Sequence, residues 1–205
     1  MRCSILFGLT FFLATISPAQ ETKSRKWFVP DYLAAQYAGS IGFASAGAGY
    51  SIFHNKANVD LLIGVVPRFT GSEPLETATI KFTGSIIRVP LNDKVTLTPL
   101  TAGVYFTYTF GKEFSHDLPG WYPDGYYWWS EAVRVNVFIG GNVTATSNRS
   151  RGPRKVSAYY EIGTNEIKLV SLIQNHDTLN FWKILHAGVG VRYFFRDSRN
   201  PETAN

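Results

Sequence analysis

The 205-residue chain has one cysteine and one methionine, and charge is scarce as well. The cysteine is Cys3, inside a segment read below as removed on export, so the mature chain carries no thiol. That excludes a disulfide-stapled secreted scaffold, thiol catalysis and a cysteine zinc site. Asp, Glu, Lys and Arg make up 17% of the chain, against about a quarter in soluble domains. No stretch is rich in Ala, Glu, Lys and Leu, which argues against a helical bundle. After residue 19 no apolar run approaches the roughly 18 residues of a membrane-spanning helix. The four histidines, His54, His116, His176 and His186, have no metal-ligand spacing among them. There is no Gly-x-Ser-x-Gly elbow, phosphate-cradling loop or nucleic-acid motif. Neither a metal nor a cofactor is expected.

What the chain does have is aromatic residues, at 15%, and 18 Gly and 10 Pro spread along its length. The first excludes intrinsic disorder. The second points to many strands joined by turns.

The first nineteen residues read as an export signal. Arg2 supplies a basic start, Ile5 to Ile16 is a twelve-residue apolar run, and Ser17-Pro18-Ala19 places small residues for cleavage before Gln20. As a helix that run covers about 18 Å, too little for a hydrocarbon layer of roughly 30 Å. Without Arg2 the chain keeps 19 basic residues against 15 acidic ones, a net charge of +4. Lys23, Arg25 and Lys26, and a second group of Arg149, Arg151, Arg154 and Lys155, read as solvated segments or contacts to anionic headgroups.

From there the dominant signal has period two. Val133, Val135, Val137 and Ile139 alternate with Arg134, Asn136, Phe138 and Gly140. Leu185, Ala187, Val189, Val191, Tyr193 and Phe195 alternate with His186, two glycines, Arg192 and Phe194. Strands are expected near 35–53, 58–66, 77–89, 95–110, 126–142, 154–164, 167–174 and 183–196. A bulge is expected at Pro99, where the polarity flips, and either a turn or a bulge at Gly163-Thr164-Asn165. Gly39, Gly42, Gly47 and Gly49 read as relief of crowding in a curved first strand.

Eight alternating antiparallel strands suit two architectures. A soluble sandwich or lipocalin-like barrel turns its apolar face inward, whereas an outer-membrane barrel turns it toward lipid and fills a narrow interior with polar and small groups. The mixed faces carry Asp60, Lys81, Arg134, Asn136, Glu161, His186 and Arg192, which together form a candidate lumenal polar network. Aromatic residues suited to a headgroup interface are Trp121, Tyr122, Tyr126, Tyr127, Trp128 and Trp129, with Tyr193 and Phe195 at the end of the last strand.

The closing pattern Ala187-Val189-Val191-Tyr193-Phe195 resembles the C-terminal signal of bacterial outer-membrane barrels, in which alternate apolar residues end on Tyr-x-Phe. With the export signal and the strand count, the whole mature chain looks like a small eight-stranded, up-and-down antiparallel barrel of that class. The resemblance implies a Gram-negative outer membrane, contact with its lipids and lipopolysaccharide, and recognition of the last strand by the barrel-assembly machinery. It gives a signal peptide at 1–19, an N-terminal periplasmic segment at 20–34, the barrel at 35–196 and a tail at 197–205. With both ends periplasmic, connections 54–57, 90–94, 143–153 and 175–182 are expected outside the cell, and 67–76 and 111–125 in the periplasm. Placing the long 111–125 segment there conflicts with the short periplasmic turns of the class.

Eight strands leave a lumen barely wide enough for side chains, which argues against a porin. The expected role is structural, adhesive or envelope-binding, in a monomer without nucleic-acid partners. Some barrels that the chain resembles act on lipid A with a Ser, a His and an acid. The corresponding candidates are His186, Ser171 and Glu161, and a lipid A acyl hydrolase is one alternative function. A soluble periplasmic lipid-binding barrel is another. Arg134 and Glu161 are expected to bridge if strands five and six form a hairpin.

Overall fold

Alternation of polar and apolar residues requires each strand to present two unlike faces, and closing the sheet on itself gives each face one environment. A computed structural model describes residues 28–67, 74–111, 132–149, 152–175 and 180–195. The export signal, the tail at 197–205, His116, His176 and the six aromatics from Trp121 to Trp129 lie outside the described residues. The strands are β1 (Tyr32–Ala38), β2 (Ala44–Ile52), β3 (Ala57–Val66), β4 (Leu75–Pro90), β5 (Val95–Phe110), β6 (Val133–Arg149), β7 (Gly152–Asn165) and β8 (His186–Phe194). Each pairs antiparallel with its neighbour in sequence, and β1 pairs with β8 to close the barrel.

The count of eight stands, but three of the expected strands differ from the sequence reading. The expected first strand, 35–53, is two strands joined by a tight turn at 39–43. Gly39 (φ +83°) and Gly42 (φ +129°) occupy backbone conformations that L side chains rarely adopt, so these two glycines reverse the chain instead of easing a curved wall. Gly49 does stand at a crowded point: a Cβ there would lie 2.3 Å from the Tyr32 ring.

The expected seventh strand, 167–174, is a helix, α1 (Glu166–Gln174). Asn165 caps it by accepting a hydrogen bond from the Lys168 amide at 2.9 Å, and Glu166 places negative charge in the first turn. The polarity flip at 163–165 therefore marks a strand-to-helix junction. The fifth expected strand, 126–142, begins at Val133 and runs on to Arg149, so most of the expected 143–153 loop is hairpin. The bulge at Pro99 is present: the β5–β6 register shifts between Thr98 and Thr101.

Splitting the first strand reverses the expected direction of the strands now numbered β3 to β7, and the replacement of the expected seventh strand by α1 restores it for β8. The β2–β3, β4–β5 and β6–β7 connections join strand ends on the side where the chain enters β1 and leaves β8, and the β1–β2, β3–β4, β5–β6 and β7–β8 connections join strand ends on the opposite side. Relative to the start of β1 and the end of β8, this reverses the sequence assignment of 54–57, 90–94, 143–153, 67–76 and 111–125, while 175–182 keeps its expected end.

The two faces are sorted inside out. Outward positions carry Leu61, Ile63, Ile80, Phe106, Ile139, Ile162, Val189 and Val191, and Ile63 and Ile139 are 63% and 60% exposed. Between Glu76 near the far end of β4 and Arg154 near the start of β7, no outward strand position among the described residues is charged. Inward positions hold Gln36, Asp60, Thr79, Lys81, Asn136, Glu161 and Arg192, with Asp60 and Lys81 at 0% exposure. The apolar part of the interior is small, built on Tyr32, Ala34, Ile41, Leu62, Tyr105 and Phe138.

Candidate functional site

The polar network fills the middle of the lumen. Asp60 on β3 and Lys81 on β4 are neighbours in register, yet each bonds across the barrel. Arg192 on β8 donates from Nε and Nη2 to the two carboxylate oxygens of Asp60, at 3.1 and 2.8 Å. Such a fork fixes geometry as well as charge. Lys81 Nζ donates to Glu161 on β7 and, at 2.8 Å, to Gln36 Oε1. Gln36 on β1 donates in turn to Glu161, and its Oε1 also accepts from the Tyr159 hydroxyl at 2.9 Å.

Aromatic rings separate and shield the two cations. The Tyr159 ring lies between them, with Lys81 Nζ 4.9 Å and Arg192 Cζ 4.4 Å from its centroid. Phe138 covers Lys81 from 4.8 Å. Contacts at these distances attract cations electrostatically, and more so when water is excluded. Tyr159 fits because β8 offers Gly190 opposite it; a Cβ there would lie 2.4 Å from the ring. The residual space among Lys81, Phe138, Tyr159, Glu161 and Arg192 is about 10 Å³. That is room for roughly one water, so the lumen is closed by its own side chains.

Toward the end bearing the long connections, Tyr105 Oη lies 2.9 Å from the Gly39 carbonyl and 2.7 Å from His186 Nε2. The phenol has one proton, and the carbonyl can only accept it. His186 Nε2–H therefore donates to Tyr105, which leaves Nδ1 as a bare acceptor. Among the described residues, Nδ1 is buried without a partner, as is Asn136 Oδ1.

Two members of the expected network stand apart from it. Arg134 does not meet Glu161, because Glu161 pairs with Gly140 in the β6–β7 register and Arg134 lies six residues nearer the start of β6. Arg134 instead donates to the Val133 carbonyl at 2.8 Å and lies 4.0 Å from Glu166, the first residue of α1. Glu166 also accepts from the Val135 amide at 2.9 Å, which ties the helix to the barrel rim. Asn136 is fully buried, pairs in register with Asn165 just before α1, and makes no hydrogen bond to either ion pair among the described residues.

Among the described residues no hydrogen bond joins the hydrolase candidates to one another. Ser171 lies on α1 and its carbonyl serves the end of the helix, bonded to Asn175. The Glu161 carboxylate is committed to Lys81 and Gln36, and His186 to Tyr105. Tyr193 and Phe195 lie exposed on the outer wall, as do Ala187, Val189 and Val191 before them. Gln36, Tyr105 and Tyr159 complete the network. For Gln36 and Tyr159, the signal was their place on the inward parity of an alternating strand.

Two further cavities flank the closed centre. One is a polar vestibule of about 320 Å³ at the short-turn end. The other is a shallow apolar concavity of about 880 Å³ lined by outward residues that include Tyr37, Leu97, Val143, Tyr160 and Val189. The class the fold defines is a closed, eight-stranded antiparallel β-barrel with an ionic interior. No protein-family model, no curated protein and no solved structure matches this chain.

Proposed function

We propose that this protein is a bacterial outer-membrane barrel with a structural, adhesive or envelope-binding role. Its wall contacts lipid and lipopolysaccharide, and its filled lumen serves as a brace. The observation that carries this reading is the wall itself, apolar and uncharged from Glu76 to Arg154 around a core of paired ions. Burying that wall in acyl chains removes an exposed apolar surface far larger than soluble monomers carry.

Three features support it. Seven of the eight strands have at least nine residues, and a tilted strand needs about 9–11 to cross a bilayer. Exposed rings occupy both rims: Tyr37, Phe43 and Phe110 at one end, Phe28, Phe53, Tyr193 and Phe195 at the other, as headgroup girdles require. The short turns share an end with the termini of the barrel, the arrangement of barrels whose longer loops face outward. A soluble lipid carrier would need an apolar lumen, whereas this one is ionic and filled. The last strand, with its outward Val, Tyr and Phe, is the segment offered to the assembly machinery.

The test is fractionation of cells expressing the full chain, followed by gel mobility of unheated and heated samples. A membrane barrel is found with the outer membrane, needs detergent to stay dissolved and changes mobility on heating. Recovery of a folded, monodisperse protein in buffer without detergent would overturn the reading.

A further inference from the structure

The vestibule at the short-turn end has a one-sided chemistry. It is floored by Arg192, rimmed by Arg88 and Lys155 and walled by Ser and Thr hydroxyls, and none of its lining residues is an Asp or a Glu. On two of its carboxamides the oxygen is engaged and the nitrogen remains. Asn58 Oδ1 accepts from Ser51 at 3.1 Å. Asn142 Oδ1 accepts from Ser157 at 3.4 Å and shares, at 3.3 Å, the Thr144 proton whose shorter bond is to Ser157 Oγ at 3.0 Å. The Nδ2 groups of Asn58 and Asn142 therefore remain, and neither has a partner among the described residues. Arg192 satisfies Asp60 and Thr83 through Nε and Nη2, while Nη1 makes no hydrogen bond among the described residues.

Two carboxamide donors, a guanidinium nitrogen and two rim cations facing one space select a ligand rich in negatively charged oxygen. The hydroxyl walls, which both donate and accept, suit further hydroxyls. A volume of about 320 Å³ sits at the lower end of ligand pockets, roughly 300–1,000 Å³, and so admits one sugar-sized group. We propose that the vestibule is a binding site for a phosphorylated polyol, of which a sugar phosphate is the simplest soluble form and a glycerophosphate headgroup the lipid-borne form. The site is a property of the lumen and does not depend on where the barrel resides.

The test uses the full chain folded in zwitterionic detergent or zwitterionic bicelles, with ¹⁵N-labelled side-chain amides followed by NMR. Glucose 6-phosphate should shift the Asn58 and Asn142 amides saturably, and glucose should bind about tenfold more weakly or not at all. Arg88→Gln with Lys155→Gln should weaken the phosphate probe by about tenfold. Asn142→Asp, which keeps the shape and the bonds to Thr144 and Ser157, should abolish binding by setting a carboxylate against the anion. Lys183→Gln, which removes a charge at the opposite end, should change nothing. If bicelles containing phosphatidylglycerol shift Asn142 and glucose 6-phosphate does not, the ligand is lipid-borne. Absence of a saturable shift at Asn58 and Asn142 with both probes overturns the proposal, as does unaltered binding by Asn142→Asp.

Discussion

Arg192 and Asp60 stand 132 positions apart and meet in a two-pronged ion pair in the centre of the barrel. The pair joins β8 to β3 across the lumen, and the Lys81–Glu161 pair joins β4 to β7 beside it. Opposite walls are thus tied by charges that have left water, a trade whose net sign depends on every polar atom finding a partner.

Removing one half of such a pair leaves a buried charge uncompensated. Asp60→Asn or Arg192→Met alone is expected to destabilise the barrel by about 3–5 kcal/mol, read from urea unfolding in lipid vesicles. The double variant is expected to lie closer to the parent than the sum of the two single effects, since no charge is then stranded. Strictly additive losses would show that the two residues act independently.

The space among Lys81, Phe138, Tyr159, Glu161 and Arg192 is about 10 Å³. The parent protein in a planar bilayer is therefore expected to show no steady ion conductance, and Lys81→Ala combined with Glu161→Ala is expected to open a measurable one. Stable conductance by the parent would mean that the brace is not closed.

Tyr105 carries one proton between two acceptor positions, which assigns His186 the tautomer protonated at Nε2. Long-range ¹⁵N–¹H correlation spectra of the imidazole should show Nδ1 unprotonated. Tyr105→Phe strands both the Gly39 carbonyl and the imidazole N–H, at an expected cost of about 1–3 kcal/mol. A spectrum with the proton on Nδ1 would contradict the assignment.

The barrel and its inward residues were legible because strand parity is a local property. Once Val137 and Ile139 are known to face one way, Asn136 and Phe138 must face the other. Asp60, Lys81, Glu161 and Arg192 were found in this manner. Pairings were not legible, because register and cross-lumen contacts are set by the closed sheet; Arg134 was matched with Glu161 from an assumed hairpin and lies near Glu166 instead. Segment 167–174 misled because Ile-Lys-Leu-Val-Ser-Leu-Ile supports both a period of two and a period of 3.6 over so short a run. The Asn165 cap was the deciding signal. Gly39 and Gly42 were read as members of a glycine-rich strand, when their spacing around Ser40-Ile41 marked a reversal. The vestibule was illegible for a different reason: its walls are Ser, Thr and Asn from six strands, residue types that carry no motif.

The account depends on what surrounds the outer wall, and Ile139 is the place to ask. It is 60% exposed at the middle of β6, with no ionic partner among the described residues. In water, an arginine at so exposed a position changes stability by no more than about 0.5 kcal/mol. At the midplane of a bilayer it costs about 2–4 kcal/mol. Reversible unfolding of the parent and of Ile139→Arg in phospholipid vesicles is predicted to differ by that larger amount. A difference below about 0.5 kcal/mol would contradict a wall facing acyl chains.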